Sequence, residues 1–195
     1  MPRRKKHKGK KITEEKSSQG ISPWRRQIHE QKPFLIFVGL FAGFMVLFYT
    51  MTLSSFFLDY FFPWYLNLNA KVSGAIISLF HDGVITNGSR VYSPMFGVNI
   101  ERGCDATGPI ALFISAVLAF PAPMTRRLIG IFVGSAVLIS VNFARIVSLF
   151  FIGIYFQNFF HIMHVDVWQA LFILLSIVLW SIWAQWALRK EPNVA

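Results

Sequence analysis

The sequence predicts an all-α integral membrane protein of about four transmembrane helices, with a small helix and β-hairpin segment on the outer face. Charge is scarce: 14% of the 195 residues are charged and 54% hydrophobic, whereas a soluble domain carries about 25% charged residues. The apolar residues gather in long uncharged runs. The basic residues between those runs fall where alternate loops would meet the cytoplasm.

Residues 1–32 form a basic tail. They hold eleven of the 19 Lys and Arg, against Glu14, Glu15 and Glu30, and offer nothing to bury. Disorder is expected up to about Ser22, with Trp24, Arg25 and Arg26 at the inner membrane surface. Beside a membrane span, such a tail reads as a topology signal that touches anionic lipid. The bilayer is therefore an expected partner and nucleic acid is not. The rest of the chain has eight basic and six acidic residues.

Residues 33–190 are expected to form the membrane domain. Residues 34–58 carry no charge, and as a helix they would cover about 37 Å, enough to cross about 30 Å of hydrocarbon with tilt. The run ends in SSFFLDYFFPW rather than at a small-residue cleavage site, which favours an uncleaved signal anchor. The second run is 106–125, with Pro109 in its first turn and Pro121 and Pro123 closing it. The third, 128–155, contains one charge, Arg145, and the fourth is 167–188. Four spans put the tail, the Arg126–Arg127 loop and the Arg189–Lys190 end on the cytoplasmic side together. Residues 59–105 and about 156–166 then lie outside.

Within 59–105, Val72, Ala75, Ile76, Leu79 and Phe80 repeat at helical spacing, which predicts an interfacial helix over 70–81. A fifth span at 60–80 is weaker because Lys71 interrupts it. Asn87-Gly88 between Val84-Ile85-Thr86 and Arg90-Val91-Tyr92 predicts a hairpin. Val98 and Ile100 continue the strand-like pattern.

Three polar features interrupt this apolar plan. Cys104 is the chain's one cysteine, so it cannot form an internal disulfide. It sits in Arg102-Gly103-Cys104-Asp105-Ala106-Thr107-Gly108-Pro109, where span two begins. A helix N-terminus favours the thiolate, and the flanking glycines admit close backbone approach. Arg145 lies 18 residues after Arg127, about 27 Å along a helix, near the outer end of the hydrocarbon. A charge there is costly, and Asn142 sits one turn back on the same face. His161 and His164 precede span four at the same outer face. His-x-x-His invites a metal, with Cys104, His81 or Asp166 completing a site, but the spacing is loose; neither a metal nor another cofactor is expected. Each feature also has a plain reading: an inert cysteine, a snorkelling arginine, a wet surface histidine. Topology nevertheless brings a thiol, a permanent cation and an imidazole from three distant segments to one face. Acyl transfer needs such a set.

At these residues the sequence resembles the exosortase and archaeosortase family, most nearly its short exosortase H subfamily. The resemblance covers roughly residues 70–188. It is carried by Gly103-Cys104, by Asn142-Phe143-Ala144-Arg145-Ile146, by Leu118-Ala119-Phe120-Pro121-Ala122-Pro123, and by His164 leading into Val167-Trp168-Gln169-Ala170-Leu171-Phe172. One departure stands out: the Cys box usually continues Asn-Gly or Ser-Gly, and here it reads Asp105-Ala106-Thr107-Gly108.

The resemblance implies a cysteine protease and transpeptidase in the inner membrane of a bacterium, with its active face in the periplasm. The substrates it implies are secreted proteins whose C-terminus carries a short motif, a membrane helix and a basic end. Cys104 would be the nucleophile, His164 the proton shuttle and Arg145 the holder of the thiolate or oxyanion. Asn142 would support Arg145, and His161 is the alternate base. Two other functions suit parts of the sequence: a non-enzymatic assembly factor for exopolysaccharide or envelope export, and a metal-dependent membrane hydrolase.

Overall fold

The computed structural model describes residues 23–189, and of residues 23–31 the backbone alone; the disorder expected up to Ser22 lies outside the described residues. The first helix, α1, runs Pro23–Thr52, so it opens well before the apolar stretch and ends short of residue 58. The chain divides into two units, residues 1–39 and 40–195, and the second holds every other element.

After α1, a π-helical turn at Phe57–Phe61 leads into α2, Phe62–Ile77. A three-stranded antiparallel meander comes next: β1 Ile85–Asn87, β2 Arg90–Tyr92 and β3 Gly97–Asn99, in that order. Then follow α3, Thr107–Ala119, and α4, Met124–Tyr155. Residues 157–167 wind through a 3-10 turn, one α turn and a π-helical turn, and run directly into α5, Trp168–Ala187.

Among the described residues, three helices are long and apolar enough to cross a membrane: Lys32–Thr52, Met124–Tyr155 and Gln157–Ala187. The run expected to give span two instead forms the 13-residue α3. Its helical length of about 20 Å falls short of the hydrocarbon thickness, and the non-helical residues 120–123 carry the chain on to the Arg126 end. Pro121 and Pro123 account for this, because the residue before a proline is pushed out of helical backbone; Phe120 is already extended, with ψ 136°. The fourth expected span begins earlier than residue 167, since residues 157–167 are themselves helical.

The hairpin forms one residue later than the Asn-Gly signal. Asn87 pairs with Arg90, so the two-residue loop is Gly88-Ser89. Gly88 takes φ +58°, the glycine-first arrangement of a type II′ turn. β3 pairs with β2 through Arg90–Asn99, Val91–Val98 and Tyr92–Gly97. Val91 and Val98 point inward and, with Ile100, pack on Ala70 and Ile77 of α2 and on Ile146 and Phe150 of α4.

Helix α2 covers the segment expected to be interfacial, but a different face is buried. Asn69, Ala70, Ser73, Gly74 and Ile77 are buried, whereas Leu79 and Phe80, just beyond the helix, are largely exposed. Small and polar residues allow α2 to approach its neighbours closely, and the bulky apolar ones are left on the outside. A second core, shared by α3, α4 and α5, includes Phe113, Val117, Leu138, Phe172 and Trp183. Gly130 and Gly134 of α4 lie against Trp183 and Phe113. Arg126 Nη1 donates to the carbonyls of Ala187 (2.8 Å) and Arg189 (2.6 Å), and Trp183 Nε1 donates to Arg126 O at 2.9 Å. Arg126, expected in a loop, lies in the first turn of α4, and that turn and the C-terminal end of α5 share one end of the bundle.

Candidate active site

The opposite end of the bundle gathers the polar residues. Cys104 lies in a short non-helical stretch between β3 and α3. Its N–H donates to Glu101 O at 3.0 Å, and Gly103, at φ +93°, turns the chain. Arg145 enters from α4, 19 residues or about 28 Å beyond Arg126. His164 comes from the π-helical turn Met163–Val167. Such turns widen the helix by one residue and so re-aim a side chain.

The three side chains meet. Cys104 Sγ lies 2.6 Å from His164 Nε2, and Arg145 Nη2 lies 3.8 Å from the same sulfur. Arg145 also ties the segments together: Nη1 donates to Gly103 O at 2.9 Å and Nη2 to His164 O at 3.2 Å. Its guanidinium carbon stands 5.5 Å from the ring centroid of Phe172 in α5, a distance at which a ring face attracts a cation. Arg145 is 3% exposed, and its Nε has no hydrogen-bond partner among the described residues. The His164 ring stacks on Phe160 at 5.6 Å. A buried cation of this kind is tolerable because its charge is spread over several acceptors and a ring.

Burial pushes the Cys104 thiol above its ordinary pKa, and the nearby Arg145 cation partly offsets this. Burial is the largest cause of the rise, and the Asp105 carboxylate adds to it.

Asn142 is fully buried, but its Nδ2 donates to Asn69 Oδ1 at 3.3 Å rather than to Arg145. His161 is exposed. No group of three His, Cys, Asp or Glu among the described residues could hold a metal ion; His81 packs edge-on against Phe150.

Sequence reasoning missed Tyr65 and Asn69, and it marked Asp105 only as a departure in the Cys box. Tyr65 Oη donates to Asp105 O at 2.6 Å, and Asn69 Nδ2 donates to Tyr65 O at 2.9 Å. Asp105, 1% exposed, accepts from Gly103 N at 3.2 Å and Thr107 Oγ1 at 2.7 Å. Tyr65 and Asn69 stand four apart, one helical turn, within an aromatic run, and that is the one signal that could have marked them. A cavity of about 400 Å³ lies beside the cluster. Met45, Phe48, Leu112 and Ile173 line its apolar part, and Arg102, Gly103 and Arg145 its polar part.

Fold and site together define a multi-pass helical membrane protein with a Cys–His–Arg cluster at one end of its bundle. The family model described as transmembrane exosortase (Exosortase_EpsH) matches residues 34–181, and the chain belongs to that family. No curated protein and no solved structure matches it.

Proposed function

We propose that this chain is a membrane cysteine protease and transpeptidase that removes the C-terminal sorting signal of secreted proteins and passes the protein to an acceptor. The observation that carries the reading is the 2.6 Å approach of Cys104 Sγ to His164 Nε2, with Arg145 on the same sulfur. A nucleophile within hydrogen-bond reach of its base is the arrangement that covalent acyl transfer requires.

The steps follow from these groups. His164 Nε2 takes the thiol proton as the sulfur attacks the scissile carbonyl carbon. A raised thiol pKa suits this order, because the proton leaves with attack rather than before it. The oxyanion forms beside the Arg145 guanidinium. Its collapse breaks the C–N bond, the leaving amine takes the proton from His164, and a thioester remains on Cys104. An acceptor amine then attacks the thioester, gives its proton to His164 and expels the sulfur. The apolar cavity ending at Gly103 and Arg145 offers room for the segment around the scissile bond.

The reading sets the active end in the periplasm and both termini in the cytoplasm of a bacterial inner membrane. The basic tail and the shared end of Arg126 and the α5 C-terminus support that orientation. The test is a processing assay. The intact chain or its Cys104→Ala variant is co-expressed with secreted proteins ending in a motif, a membrane helix and a basic end. Loss of that end with the intact thiol alone is the expected result, and added mass at the new C-terminus marks transfer. Identical substrate mass with both well-inserted versions would favour the assembly-factor reading.

A further inference from the structure

We propose that Tyr65 is a positioning residue for the Cys104 nucleophile, an inference that rests on the cysteine-peptidase reading above. The two carbonyls that flank Cys104 in the chain are each held by a side chain from a different helix. Arg145 of α4 holds Gly103 O, and Tyr65 of α2 holds Asp105 O.

The stretch needs such holds. Gly103 has φ +93° and Ala106 has φ +60°, so the chain turns through the left-handed region on both sides of the Cys104–Asp105 pair. For alanine that conformation is strained, and such strain persists where surrounding contacts over-determine it. Tyr65 grips the carbonyl immediately before Ala106. Burial pushes its phenol pKa up, which keeps the donated proton in place. Tyr65 is in turn anchored from behind: its own carbonyl accepts from Asn69, whose side-chain oxygen accepts from Asn142 of α4. Asn142 and Asn69 thus tie the backbone at Tyr65 to the helix that carries Arg145, and the Tyr65 phenol reaches from there to Asp105 O. It also gives Asn142 a role different from direct support of Arg145.

Tyr65→Phe removes one oxygen and keeps the ring, so the packing against Phe61 survives. The test is a double-mutant cycle of Tyr65→Phe and His164→Ala on the purified full chain. The readout is the rate of Cys104 alkylation by iodoacetamide, with thermal unfolding followed in parallel. His164→Ala alone should slow alkylation about tenfold, equivalent to ~1.4 kcal/mol, and Tyr65→Phe alone severalfold. The double variant should be no slower than His164→Ala, because both act on one sulfur–imidazole contact. With a processed substrate, Tyr65→Phe should lower kcat and leave KM unchanged. Multiplicative effects, or wild-type alkylation in Tyr65→Phe, would overturn the inference and leave the Cys–His reading standing. An unchanged rate in His164→Ala would overturn both.

Discussion

Replacing Arg145 by Lys and by Gln separates the two things this side chain does. Its fork holds two carbonyls from distant segments, Gly103 O and His164 O. A hydrogen bond to a charged group contributes about 1.5–3 kcal/mol. A lysine ammonium is a compact point donor that cannot reproduce the planar fork, so Arg145→Lys should keep one of these bonds and lose the other. That loss corresponds to about a tenfold to hundredfold fall in processing. The charge is a separate matter. A cation 3.8 Å from the sulfur attracts a thiolate by about 4 kcal/mol at an effective dielectric of 20. Lys keeps most of that attraction and Gln keeps none. In alkylation of Cys104 across pH, Arg145→Lys should therefore track the intact chain, whereas Arg145→Gln should shift its rise to higher pH. In the processing assay both should fall, Gln further. Identical alkylation profiles for Lys and Gln would refute the electrostatic part. Undiminished processing in Arg145→Lys would refute the clamp.

Three further expectations rest on the same geometry. In processing assays, His164→Ala should cost about 10²–10⁴-fold, the usual share of a general acid–base, while the exposed His161→Ala should stay within about twofold. Because burial dominates the raised thiol pKa, the alkylation rate of Cys104 should climb with pH and turn over above ~8.5, the ordinary thiol value; a plateau already reached at neutral pH would contradict it. Gly153→Ala would drive a methyl into the Phe96 ring and should cost about 1–3 kcal/mol, read as a lower melting temperature in detergent.

Much of the fold can be read from hydropathy and charge alone, because a bilayer demands long uncharged helices and basic loops on one side. Hydropathy measures apolar character and not where a helix stops. It therefore runs the second expected span through Phe120 toward Pro121 and Pro123, and it carries the first to residue 58 although α1 ends at Thr52. The helix over α2 is visible in its periodicity, but the inward face is not. An apolar stripe ordinarily marks the buried side, whereas in α2 the small face of Ala70, Ser73 and Gly74 is the one that packs, because small residues let backbones approach closely. At the site, Cys104, Arg145 and His164 stand out because each breaks an apolar or glycine-rich context. The π-helical turn that presents His164 leaves no local trace in sequence. The Tyr65–Asp105 bond joins residues 40 apart, which periodicity cannot detect.

The most direct measurement is the mass of Cys104 itself during turnover. The intact chain is mixed with a processed substrate, quenched in acid, digested and analysed for the Cys104 peptide. The account predicts a substrate fragment joined to Cys104 as a thioester, released by hydroxylamine and accumulating when the acceptor is withheld. Processing that continues with Cys104 unmodified throughout, and persists in Cys104→Ala, would contradict it.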